Sequence, residues 1–157
     1  MIRAKAGSKE ALVFSLLQTK VRGIAFDGKR RFVSENVEIS TDESFTHKGV
    51  TYLIEVDSGN ITKLLVGQYV LLNTLHDHVA EPSFFLVVHT YNGYNVERTL
   101  ENLGFVNQKL FGGCSIPFGM IHLDKLQAWA GGDVDDLLAM LRVPSLGMQP
   151  PPAGARA

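Results

Sequence analysis

Glu55 and Asp57 close the run YLIEVD that begins at Tyr52. A strand alternates its side chains, so Tyr52, Ile54 and Val56 take one face while Leu53, Glu55 and Asp57 take the other. Two carboxylates at the end of an otherwise apolar strand are costly to bury unpaired. They call for a cation, a hydrogen-bond network or an open cleft. Acidic oxygens beside a glycine-containing turn, here Ser58-Gly59-Asn60, suit Mg²⁺. A solvated strand end accounts for the same pair without any chemistry.

Three residues elsewhere extend the pattern. Asp42 opens a hairpin whose other arm ends at Glu55 and Asp57, and antiparallel arms bring their open ends side by side. On the following helix Gln68 falls within the apolar stripe Ile61, Leu64, Leu65, Leu72 and Leu75, where an amide needs partners. On the first helix Glu10 is in register with Val13, Phe14, Leu17 and Val21. The plain alternatives are a core glutamine bonded to backbone and a first-turn glutamate welcomed by the helix dipole.

These residues need elements to position them. Lys9 to Lys20 reads as a helix with Ser8 as N-cap. Arg30 to Ser40 reads as one strand with interrupted alternation, and Asp42 to Asp57 as a hairpin turning at His47-Lys48-Gly49. Asn60 caps a helix to Leu75. The unbroken FFLVV within Ser83 to Tyr91 suits a strand buried on both faces. A helix over Val96–Leu103, capped by Asn95 and stopped by Gly104, a strand over Ile116–Leu123 and a helix over Val134–Leu141 complete the chain. The order α-β-β-β-α-β-α-β-α predicts an α/β fold, a single domain with a mixed sheet covered by helices on both faces. Residues 1–143 form that domain. From Pro144 onward the Pro/Gly/Ala-rich segment, 144–157, reads as a flexible tail.

Composition narrows the classes. With 157 residues, 45% of them apolar, the chain buries one core. No apolar run reaches the roughly 18 to 20 residues of a membrane span. The first residues lack the apolar stretch of a secretory signal, so a cytoplasmic address is expected. The one cysteine, Cys114, excludes an intramolecular disulfide framework. A net charge of −1 leaves nucleic-acid contact to a local patch, for which Lys29-Arg30-Arg31 is the compact candidate. His76-Asp77-His78, beside Pro82, reads as an exposed loop more than a metal site, and His89 and His122 fall near strand ends.

With Glu10 on a first helix, then Asp42, then the arm Ile54-Glu55-Val56-Asp57 and a helix with Gln68-Tyr69, the stretch from Ser8 to Tyr91 resembles the PD-(D/E)XK nuclease superfamily. The resemblance implies a restriction-endonuclease-like fold and a DNA partner. It maps the metal-binding acids to Asp42 and Glu55, and matches Glu10 and Gln68 to accessory positions. Three departures stand out. Thr41 replaces the motif proline, Glu43 is a competing acid, and Asp57 occupies the lysine position. Lys63, one turn into the next helix, is the available stand-in.

The expectation is therefore a DNA nuclease dependent on Mg²⁺ (or Mn²⁺), with Asp42 and Glu55 on the metal, and Asp57 or Glu10 completing its shell. Lys63 would stand in for the lysine and Gln68 would orient a ligand or water. A homodimer or a larger nucleic-acid-processing assembly is left open, and no membrane partner is expected. The alternative is a catalytically inactive nuclease-fold module that binds DNA or a protein. A small-molecule metallohydrolase, the third option, has no pocket signature in the sequence.

Overall fold

A computed structural model describes residues 7–145 of the chain. Its elements are α1 (Ser8–Lys20), β1 (Val21–Arg22), β2 (Arg31–Ser34), β3 (Val37–Ser40), β4 (Glu43–His47), β5 (Val50–Asp57), α2 (Thr62–Leu75), β6 (Ser83–His89), α3 (Glu97–Phe111), β7 (Phe118–His122), α4 (Leu123–Ala128), β8 (Gly132–Asp133) and α5 (Val134–Ala139).

The β4–β5 hairpin forms where alternation and turn chemistry agree. Lys48 and Gly49 both take positive φ, 48° and 78°, giving the two-residue turn whose twist suits a hairpin. β5 then continues the sheet in parallel with β6, and β6 with β7, in the order β4-β5-β6-β7. Parallel neighbours require crossovers, and α2 and α3 supply them.

The pleat of β5 divides the core. Tyr52, Ile54 and Val56 join Leu86, Val88 and Ile121 under α1, α4 and α5, whose Val13, Leu17, Leu126 and Leu137 are buried there. Leu53, with Phe85, Val87, Phe118 and Met120, packs under Leu65, Tyr69 and Leu72 of α2 and Leu100, Leu103 and Val106 of α3. The chain is thus a single α/β domain with a mixed sheet flanked by helices. Among the described residues no helix is long and apolar enough to cross a membrane.

The two ends of the described chain are tied together on the first of these faces. β1 pairs in parallel with β8. The Lys20 ammonium donates to the carbonyls of Leu126, Gln127 and Trp129 at 3.0, 2.5 and 2.6 Å, satisfying the C-terminal carbonyls of α4.

Several expected boundaries move. The single strand expected over Arg30–Ser40 is a hairpin, β2 and β3, turned at Glu35, which adopts φ 52° without a glycine. α1 begins without a side-chain cap from Ser8; Gly7, left-handed, holds the N-cap position. Asn60 does not cap α2 but accepts from the Arg98 guanidinium at 2.9 Å. α3 runs through a buried Gly104 and stops only at Gly112, in the left-handed conformation that closes helices. Short α4 and the β1–β8 pair are additions to the expected order of elements. Of the expected tail, residues 146–157 lie outside the described residues.

Candidate functional site

Register decides which acids meet. Glu43 pairs across β4–β5 with Ile54, so its side chain shares the α1 face and points away from Glu55. Asp42, one residue earlier, falls on the Glu55 side. Its backbone N–H bonds to the Ile54 carbonyl at 2.9 Å, and its Oδ2 accepts the Val56 N–H at 2.9 Å. Of the two competing acids, Asp42 is the one brought to Glu55.

The Glu55 carboxyl is mostly buried, and its Oε2 has no hydrogen-bond partner among the described residues. Burial is the main force on it, and the Asp42 carboxylate adds to that force. Together they push Glu55 up to about 8; Gln68 pulls the other way as a hydrogen-bond partner, and Asp57 and Glu10 contribute smaller repulsion. Asp42 is raised by burial too, opposed by the Val56 N–H and by the positive charge of Lys29. Two partly desolvated carboxylates side by side, one with a bare oxygen, form an oxygen-donor pair short of positive charge.

In front of Glu55, but not lined by Asp42, opens a cleft of about 520 Å³ between β3 and α2, bordered by Glu38, Ile39, Ser40, Glu55, Lys63, Leu64, Gly67, Gln68 and Leu71. Lys63 and Gln68 therefore face the same space as Glu55. Lys63 is exposed, and Gln68 sends its amide toward the Ser40 carbonyl at 3.4 Å. Glu10 sits on α1, whose buried face packs on the opposite side of the sheet, and its effect on Glu55 is the smallest of those acids. Among the described residues no three His, Cys, Asp or Glu side chains gather into a ready-made metal cage. A cation held by Asp42 and Glu55 would have to complete its shell with water or ligand oxygens.

Asp57 is held differently. Its Oδ2 meets His89 Nδ1 at 3.0 Å and its Oδ1 accepts the Gly59 N–H at 3.2 Å. The Asp57–His89 pair is a cross-strand pair of β5 and β6, with His122 next in register on β7. His122 itself bonds to the Tyr91 carbonyl at 2.8 Å.

The remaining candidates are structural. His76, expected in an exposed loop, is buried: its Nε2 meets Ser83 Oγ at 2.8 Å and its ring packs on Phe32. His78 bonds to the Cys114 carbonyl and Asp77 accepts the N–H groups of Val79 and Ala80, so the three side chains have separate duties. In the basic cluster Arg30 pairs with Glu81 at 2.7 Å, and Arg31 grips Glu38 through two bonds. Only Lys29 bears on the acidic pair. Comparison with family models, with curated proteins and with solved structures finds no match to this chain.

Proposed function

We propose that this chain is a divalent-cation-dependent DNA phosphodiesterase of restriction-endonuclease-like architecture. The observation that carries the reading is the Glu55 Oε2, unpartnered among the described residues, on the wall of a cleft that also holds Lys63 and Gln68. Hard carboxylate oxygens fit Mg²⁺ or Mn²⁺ better than a softer metal. Bound there, such a cation would polarise a phosphate oxygen and make water a stronger nucleophile.

The chain's own residues supply the rest. Asp42, in the bend just before β4 and fixed by the Val56 N–H, and Glu55, near the end of β5, present their oxygens from a hydrogen-bonded frame, which keeps a ligand's position defined. Lys63 offers a cation to a phosphate entering the cleft. Gln68 has both donor and acceptor atoms with which to orient Glu55 or a water. Leu64, Leu71 and Ile39 give the cleft an apolar wall.

The absence of a lysine at position 57 supports a second reading, a module of the same fold that binds DNA or a protein without cutting. One titration separates the two. Wild type and Glu55→Gln are incubated with plasmid, linear duplex and branched DNA over a range of Mg²⁺ and Mn²⁺. Cleavage by wild type, reduced at least 10- to 100-fold in the variant, is expected, since even residues behind metal ligands typically cost that much. Undiminished cleavage by the variant removes Glu55 from the reaction. DNA binding by both proteins with no cleavage by either establishes the binding module instead.

A further inference from the structure

α2 carries a glycine where the helix itself gains nothing from one. Gly67 lies in the helix interior with an ordinary helical φ, so neither a turn nor a cap calls for it. Glycine at such a position is destabilising relative to alanine. Packing does not call for it either, since a Cβ there would meet nothing within 4 Å. What remains is the space in front of it. Gly67 borders the same cleft as Glu55, between Leu64 and Leu71 at helical positions i, i+3 and i+7. Any side chain at 67 would project into that cleft.

The walls around Gly67 are apolar and uncovered. Leu64 is 70% exposed and Leu71 37%, and Ile39 borders the cleft from β3. Lys63 is the one cation among the described residues lining it. A duplex suits this surface poorly, because it turns sugar and phosphate outward and keeps its base faces stacked inside. Exposed leucines would meet only charged backbone. Size argues the same way: about 520 Å³ lies within the roughly 300 to 1,000 Å³ of sites for one small ligand, which leaves no room for a second strand. An unpaired strand alternates what the cleft alternates. Its unstacked base offers flat faces to apolar side chains, and the phosphate beside that base offers a charge to Lys63.

We propose that the cleft takes a single, unpaired DNA strand, with one unstacked base between Leu64, Leu71 and Ile39 above Gly67. The adjoining phosphate lies toward Lys63 and Glu55. The inference rests on the phosphodiesterase reading and names its substrate class. Gly67 is then a specificity residue: it touches no reacting atom, and keeps open the clearance that the base occupies.

The test compares cleavage, with Mn²⁺, of a mixed-sequence single-stranded oligonucleotide and of the same strand annealed into a blunt duplex. Wild type should cut the single strand at least about 10-fold faster, the scale of one apolar pocket contact. Gly67→Leu should lower kcat/KM on the single strand by about 10-fold or more. Its Tm should hold or rise, because leucine favours the helix and has room there. Leu64→Ser/Leu71→Ser should raise KM for the single strand, whereas Phe105→Ser, an exposed apolar residue of α3 outside the cleft, should change neither rate. Equal rates on the two substrates overturn the proposal. So does a full single-strand rate in Gly67→Leu, or a loss in Phe105→Ser as large as that in the leucine pair. Should Gly67→Leu fail to fold, the leucine pair decides by the same outcomes. A wild type that cuts neither form brings down the phosphodiesterase reading and this one with it. A wild type that cuts both forms equally, beside an inactive Glu55→Gln, removes this one alone.

Discussion

At the scale of single residues, Glu55 couples the site to pH. Its folded-state value, about 8, lies above the ordinary 4.5, so the folded protein binds this proton more tightly than the unfolded chain. The contribution is therefore full below about pH 4.5 and is lost as pH rises toward about 8. For cation-free protein the loss is on the order of 3 to 5 kcal/mol at most. Glu55→Gln should match wild type near pH 5 and exceed its stability by a few kcal/mol near pH 8.5, as read by urea denaturation in chelator; parallel pH profiles would show that Glu55 is ordinary. A cation captured at pH 7 should also expel close to one proton, because the ligand must ionise. Calorimetry in two buffers of different ionisation heat measures this, and heats that do not depend on buffer would place the cation elsewhere. Glu55 and Asp42 were legible in the sequence because alternation and hairpin register are local rules. His89 could be placed only near a strand end. Its pairing with Asp57 depends on the register of two strands joined through α2, which no local pattern encodes.

At the scale of elements, α2 shows where periodicity informs and where it misleads. Leu64 and Leu65 both fall within the helical apolar pattern, yet Leu65 is 2% exposed and Leu64 70%, the latter lining the cleft. Leu65→Ala should cost about 2 to 5 kcal/mol by thermal or chemical unfolding, and Leu64→Ala within about 0.5 kcal/mol. Similar losses for both would mean that the helix is rotated from the orientation described. The neighbouring hairpin β2–β3 was hidden because its turn uses Glu35 in a conformation that usually advertises itself through glycine. α3 outruns its expected end for the converse reason: Gly104 reads as a stop, but the helix continues through it, buried. α4 spans six residues, too few for a periodic signal to stand out.

At the scale of the whole molecule, charge is balanced and partly committed. The chain carries net −1, and Arg30, Arg31, Lys48 and Arg142 are each within an ion pair. Duplex binding without divalent cation should therefore be weak and only mildly salt-dependent, with a log–log slope shallower than about −3, since each neutralised phosphate adds about −0.9. Fluorescence anisotropy across a salt series measures it; a slope near −6 would reveal a basic surface that these pairings do not suggest. Helices on both faces of a mixed sheet were readable from element order alone, whereas the joining of the chain's two ends was not. That joining carries a kinetic consequence. The partners of Lys20 lie 106 to 109 residues further along. During synthesis α1 can meet the face of β5 as soon as that strand forms, but its cover from α4 arrives only after the more than one hundred residues that separate Lys20 from Leu126. Such distant closure slows folding, so a chain stalled before α4 would leave the apolar face of α1 only partly covered and open to chaperones or to other nascent chains, while the released protein hides Val13 and Leu17.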